Sequence, residues 1–395
     1  MKIGSGKIIT RTVLLVSFVS FFNDIASEML YPVMPVFLKS IGFSVLLIGI
    51  LEGVAEATAG ISKGYFGNLS DSIGKRLPFI QLGYLLSAVS KPLLAVTVYP
   101  LWIFFVRTTD RLGKGVRTSA RDALLSDETT SKHKGKVFGF HRGMDTLGAA
   151  TGPILALIFL YFYPAKYVWL FLIAFLPGIV AVSLTLFIKE KKKDKTDIKK
   201  KIGFLAYFTY WKKSTVNYKV LVVGLLGFVL FNSSDAFLLL GLKEYGYTDT
   251  QMIAFYIFYN LVFALLAYPI GILADKVGLE RMLISGLILF GIVYISMGLA
   301  FTLFHFILIF FLYGAYAAST DGVSKALISN IAKKEDTATA LGFYNSLASI
   351  LTLISSMLAG IIWHFMGFKA MFFFSGAGVI LVVFYFFIIN RWIRN

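Results

Sequence analysis

Hydrophobic residues run along this chain in long blocks, separated by short gaps rich in Gly, Pro or charge. A helix that crosses a bilayer needs about 20 mostly apolar residues. Cutting the chain by that rule gives twelve segments, at 10–37, 44–66, 78–98, 100–124, 136–163, 165–188, 218–241, 250–273, 281–302, 304–328, 338–363 and 368–390. The pattern predicts an all-α polytopic membrane protein. Between the sixth and seventh segments lies a basic run, Lys189 to Lys201, and after it a short aromatic stretch, 203–211, of the kind that lies in the membrane interface. The expected organisation is a six-helix bundle at 1–188, a basic linker at 189–217 and a second six-helix bundle at 218–395.

Composition sharpens this picture. The chain is 57% hydrophobic and 15% charged, whereas a soluble domain carries about a quarter charged residues. Cysteine is absent, which excludes disulfides and thiolate metal sites. A net charge of +17 would point to nucleic acid in a soluble protein. Here the cations sort by loop instead. With the N-terminus inside, one side collects Lys75, Arg76, Lys132, Lys134, Lys136, Lys276, Lys333, Lys334, Arg391, Arg394 and the linker run. The other side holds Lys39, Lys166, Lys243 and Lys369. This asymmetry places both termini in the cytoplasm and the chain in the plasma (inner) membrane. Lys2, Lys7 and Arg11 look like a signal peptide's basic region, but the apolar run after them is too long, so it reads as a retained first helix.

The two halves repeat. Gly67-Asn-Leu-Ser-Asp71-Ser-Ile-Gly74-Lys75-Arg76 follows the second segment, and Gly271-Ile-Leu-Ala-Asp275-Lys-Val-Gly278-Leu-Glu-Arg281 follows the eighth. Two copies of one pattern at equivalent places indicate duplicated halves. With the twelve segments and the basic linker, these loops resemble the major facilitator superfamily over the whole chain. The resemblance implies the major facilitator fold, with twelve transmembrane helices in two pseudo-symmetric halves. It also implies a conformational-switch role for Gly67, Asp71, Gly74, Lys75 and Arg76, with Asp275 and Arg281 as a second copy in which Glu280 stands where a base is common. The fifth segment holds Gly148-Ala-Ala-Thr-Gly152-Pro153, similar to the motif that the superfamily's proton antiporters carry in that helix. The fourth segment departs from the drug-antiporter pattern, because several cations crowd it.

That fourth segment carries the candidate chemistry. Asp110, Lys114, Arg117 and Arg121 recur at intervals of four, three and four, so they share one helix face, with Arg107 and Arg111 at its edge. Charges inside a membrane face water or each other. The five cations Arg107, Arg111, Lys114, Arg117 and Arg121 are expected to attract an anionic or oxygen-rich organic solute. Asn23, Asn232, Asp235, Asn260 and Asn345 are further candidates to line the cavity. Asp24 and Glu28 lie four apart in the first segment, and Glu52 and Glu56 four apart in the second. With Asp145 they form the candidate proton-coupling set, since a carboxylate among cations can change its protonation as a cavity wets and dries. Counting rise per residue puts Asp24, Glu56, Arg111 and Lys114 near the midplane, and His141 and Asp145 nearer the cytoplasm. Lys91, alone in the third segment, is expected to snorkel to the outer surface, and His141 reads as a structural residue.

The sequence is therefore read as a proton-coupled exporter working by alternating access, monomeric, with a small-molecule substrate, protons and the lipid bilayer as its partners. No cofactor, metal or nucleic acid is expected. Nothing resembles an enzyme's nucleophile elbow, phosphate loop or zinc spacing. The alternatives are proton-coupled uptake of an anionic metabolite, divalent-metal transport through the carboxylates and His141, and a non-transporting sensor or scaffold.

Overall fold

A computed structural model describes residues 8–190, 203, 206–300 and 302–393. Most of the basic run, 191–201, lies outside the described residues, as do Lys2, Lys7 and Arg394. The helices are α1 (Arg11–Glu28), α2 (Met34–Ser40), α3 (Val45–Ile73), α4 (Leu77–Leu93), α5 (Pro100–Asp127), α6 (Lys134–Phe162), α7 (Tyr167–Thr185) and the single turn α8 (Tyr210–Lys213). There follow α9 (Val216–Phe231), α10 (Ala236–Glu244), α11 (Asp249–Val277), α12 (Leu279–Leu299), α13 (Leu303–Ile331), α14 (Thr337–Met366) and α15 (Phe368–Ile393). Eight spans among the described residues are apolar and long enough to cross a membrane. In the first half, ionisable side chains interrupt α1, α3 and α5, and the polarity falls where the sequence puts its charge ridge.

Two expected spans are broken. The first stops at Glu28 and resumes at Met34, and the seventh stops at Phe231 and resumes at Ala236. Pro32 and Pro35 supply no backbone N–H to the first break. At the second, the polar run Asn232-Ser233-Ser234-Asp235 bonds the chain locally, with Ser234 Oγ accepting from the amide of Ala236 at 3.3 Å. The breaks fall at equivalent places in the two halves.

The halves meet along two seams. One joins α3 to α14 and the other joins α6 to α11. Both seams are tight near the end of the molecule that carries the chain termini. There, a side chain on Gly67 would strike the carbonyl of Ala338, and one on Gly139 the carbonyl of Ala267, so these helices touch backbone to backbone. Asp71 Oδ2 accepts from the amide of Thr339 at 2.5 Å and from its hydroxyl at 2.7 Å. Asp275 does the same in the opposite sense, accepting from the amides of Gly135 and Lys136 at 2.8 Å each. Towards the far end the helices part. α3 is exposed at Gly53, Val54, Glu56 and Ala57, and α14 at Ile350 and Thr352. The result is a cleft closed at the terminal end and open at the other.

The linker reinforces the closed end. Tyr207 is 1% exposed. Its ring lies against Gly64 of α3, and its hydroxyl is 3.1 Å from Ser346 Oγ on α14. Trp211 stacks on Phe343 with ring centroids 5.8 Å apart. The aromatic stretch read as interfacial therefore does more than lie on a membrane surface; it is wedged between the halves.

Candidate functional site

The cleft ends in two adjoining chambers. The larger has a volume of about 360 Å³ and is lined mainly by first-half residues, among them Asp24, Glu28, Lys63, Lys114 and Arg117. The smaller, of about 280 Å³, belongs to the second half and is walled by Phe228, Asp235, Tyr259, Tyr313 and Tyr316. Asp321, Ser324 and Tyr344 line both, so the chambers join there. Together they have the size of a site for a small organic molecule.

The helix α5 can carry its ridge because the ridge is answered by carboxylates. Arg107 donates to Glu52 at 2.5 Å, and Arg111 pairs with Glu56 at 3.1 Å and Glu52 at 3.9 Å. Asp110 holds Lys91 at 2.9 Å. Lys91 is 2% exposed, so it does not snorkel; the carboxylate one helix away offers a better partner than the distant surface. Arg121 lies 3.0 Å from Asp122 and 3.7 Å from Asp145. Arg142 pairs with Asp145 on its own helix and crosses the seam to Asp321. Lys325 crosses in the other direction to Asp122 at 3.3 Å.

Three cations stand apart. Lys114 is exposed to the cavity and forms no ion pair among the described residues. Lys63 donates to Ser349 Oγ at 3.2 Å, and Arg117 donates to Ser87 Oγ at 2.7 Å while stacking 4.6 Å over the Tyr84 ring. None of these contacts neutralises a charge. Two carboxylates stand apart as well. Asp24 accepts from Asn23 Nδ2 at 3.1 Å but meets no cation at ion-pair distance, and neither does Glu28, among the described residues. Asp24 and Asp145 line the same chamber. The depth count had separated them. They meet because α1 and α6 cross at Gly148 and Gly152, whose missing side chains make room for Phe21, Asp24 and Glu28.

The remaining sequence candidates fall into place around these groups. Arg107, Asn23 and Glu52 are not cavity-lining; they support the residues that are. Arg121 and Asn345 line the larger chamber, and Asn232, Asp235 and Asn260 the smaller. Gly74 ends α3 in the left-handed conformation at φ +70°, which releases the chain into Lys75 and Arg76. Arg76, 1% exposed, lies 2.5 Å from Asp71 and 3.7 Å from Asp127, while Lys75 is exposed. Pro153 sits inside α6 next to Gly152. Asp275 bonds amides of α6, and exposed Arg281 forms no ion pair with it. His141 is fully buried with Nδ1 3.4 Å from Ser17 Oγ. Glu52 and Glu56 are taken up by arginines rather than gathered about a common point, which leaves a metal ion poorly served.

Sequence reasoning missed Lys63 as an unpaired cavity cation, the cross-seam pair of Lys325 with Asp122, and the tyrosine wall. Tyr256 with Tyr259, and Tyr313 with Tyr316, each three apart on otherwise apolar helices, were the available signal.

A polar chamber set between two bundles with apolar exteriors defines a multi-pass membrane transporter. Similarity to known proteins agrees. The chain belongs to the Major Facilitator Superfamily, whose family model matches residues 16–263 and 220–394. An uncharacterized MFS-type transporter of Methanocaldococcus jannaschii is 35% identical, over 90% of this chain and 89% of its own. Among solved structures, the human organic anion transporter MFSD10 superposes with a TM-score of 0.79 at 18% identity, covering 95% of this chain and 99% of that one. The Escherichia coli fucose:proton symporter superposes with a TM-score of 0.78 at 10% identity, covering 96% and 98%. These two likenesses concern the fold.

Proposed function

We propose that this chain is a proton-coupled secondary transporter of a small organic anion, working as an exporter by antiport. The observation that carries the reading is one chamber lined by Lys63, Lys114 and Arg117, which have no carboxylate at ion-pair distance among the described residues, and by Asp24 and Glu28, which have no cation at that distance among them. The three cations bind the anion. Asp24, which lines the chamber with Asp145, and Glu28 carry the proton. When an anion enters, it offsets the cations' field and favours protonation of the carboxylates, so this linkage alone loads anion and proton together and supports the uptake reading given below, while export rests on the helix motif. Arg111 and Arg121 shape the field but remain engaged with Glu56 and Asp122. Export is supported by Gly148, Gly152 and Pro153, the antiporter-like motif, which packs on the helix that carries Asp24 and Glu28.

With the termini in the cytoplasm, as the loop charges argue, the structure is open to the outside. The cavity forms within a single chain, which supports a monomeric working unit. Proton-coupled uptake is the second reading, favoured by the cations being presented on the open side, where an external anion would load.

Purified protein in liposomes with an internal pH dye provides the test. An imposed proton gradient should drive flux of a labelled carboxylate, and Asp24→Asn should leave exchange of that carboxylate intact while abolishing its proton dependence. Flux that ignores the gradient in the unmodified protein would falsify the coupling. The sign of proton movement relative to the anion separates antiport from uptake.

A further inference from the structure

The smaller chamber has a charge problem of its own. Asp235 faces it, and no Lys or Arg is among the residues that line it. Tyr313 donates its hydroxyl to Oδ1 at 2.5 Å and Tyr259 donates to Oδ2 at 2.8 Å. Each carboxylate oxygen can accept about two hydrogen bonds, so each keeps one position free. Asn232, in the same break between α9 and α10, donates to the Tyr316 hydroxyl at 3.2 Å, and its buried Oδ1 has no donor. The wall around these acceptors is aromatic. Tyr259 and Tyr313 rings lie 5.2 Å apart, and Tyr313 and Tyr316 rings 5.3 Å apart.

A carboxylate with open lone pairs, an orphaned amide oxygen and tyrosine faces together form an environment for a primary ammonium group. Such a group brings three N–H donors and a charge, and aromatic faces attract it further. The chambers thus differ in charge: the first-half chamber offers Lys63, Lys114 and Arg117 beside the proton-carrying Asp24 and Glu28, and the second offers Asp235 with no cation in its lining. We infer that the transported molecule is a zwitterion, with its acidic group on Lys63, Lys114 and Arg117 and its amine on Asp235 between Tyr259 and Tyr313. This inference rests on the anion reading above and adds a second subsite to it. It also gives the substrate a structural task, because a molecule held at both ends ties the two halves together across Asp321 and Tyr344. Closing the cleft over such a ligand shortens the gap between opposite charges, which favours closure with the ligand present over closure without it.

The test uses the full-length purified protein and a length series of probes. Straight-chain ω-amino carboxylates are compared with carboxylates of the same chain lacking the amine, and with the matching alkylamines, by calorimetric titration. At the best-fitting length the amino acid should bind at least tenfold more tightly than either single-charge analogue. Asp235→Asn should reduce that preference to within twofold while leaving the plain carboxylate's affinity unchanged. Asp235→Glu, which keeps the charge, should retain the preference and move the optimum to a chain about one methylene shorter. Lys114→Ala should weaken both acids alike.

The inference is overturned if plain carboxylates bind as tightly as their amino counterparts at every length, or if Asp235→Asn weakens both equally. Carboxylate binding that depends on Lys114 but shows no amine preference removes the zwitterion and leaves the anion reading standing. Absence of carboxylate binding at every length removes both.

Discussion

Lys325 on α13 reaches across the seam to Asp122 on α5 at 3.3 Å, and the Asp122 side chain is 0% exposed. Asp122 also faces Arg121 at 3.0 Å, so one buried carboxylate serves a cation from each half. Opening the terminal end must break the longer of these two pairs while the other survives. Removing Lys325 therefore acts chiefly on the closed state, since its other partner, Asp321 at 3.8 Å, lies on its own helix and stays within reach in either state. Lys325→Ala is expected to cost about 3 kcal/mol of closed-state stability, the low end for breaking a buried pair, because Arg121 stays. Spin labels on α3 and α14 at the terminal end should report a wider distance distribution. An unchanged distribution would show that the pair does not restrain the seam.

The backbone contact at Gly67 predicts a steric version of the same effect. Any side chain there meets the Ala338 carbonyl, which cannot retreat without moving α14. Gly67→Val should therefore push the α3–α14 seam apart, at about 1–3 kcal/mol by analogy with overpacked cores. Cysteines placed at 71 and 339 should cross-link in the parent protein and fail to do so in the variant.

Glu52 and Asp24 separate support from coupling. Glu52→Ala strips Arg107, 5% exposed, of its 2.5 Å partner, leaving Asp110 at 3.9 Å as its ion-pair partner among the described residues. Thermal stability in detergent should fall by about 2–3 kcal/mol, within the range for losing a charged hydrogen bond in a buried site. Its proton dependence of flux should persist. Asp24→Asn should show the reverse, with stability near that of the parent and proton dependence gone. If both variants behave alike, the division drawn between these carboxylates does not exist.

Tyr207 predicts a role for the linker. Truncation to Ala empties the space between Gly64 and Ser346 and removes the 3.1 Å hydroxyl contact. A loss of about 3 kcal/mol follows from comparable aromatic deletions. Accessibility of cysteines on the cavity side of the wedge to a membrane-impermeant thiol reagent, added from the terminal side, should rise with it.

The apolar blocks made most of the fold legible, because bilayer thickness sets a length that sequence reports directly. Duplicated loops revealed the two halves for the same reason: Gly67, Asp71 and Gly271, Asp275 stand at matching places. The helix breaks were harder to see. Pro32 and Asn232 are visible in the sequence, but a proline in an apolar run can kink a helix without ending it. Pairing was the least legible property. A count along each helix gives depth but not crossing angle, so treating tilted helices as parallel rods placed Asp145 away from Asp24. Lys91 was sent to the surface because it stands alone in its segment, and its partner Asp110 lies on the next helix. Tyr259 and Tyr313 were overlooked because a tyrosine in an apolar segment usually belongs to the core, and only the position of Asp235 between them gives their hydroxyls a use.

The interruptions after Glu28 and Phe231 leave α2 and α10 as short caps on the open end of each half, joined to the body by a few unwound residues. Neither cap is loose: Met34, Phe37 and Leu38 of α2 are buried, with Phe37 against Phe171 of α7, and so are Leu238 and Leu242 of α10. Each is bolted to its own bundle and travels with it. The width of the mouth is then set by the swing of a whole half, and the rim cannot shut ahead of the walls.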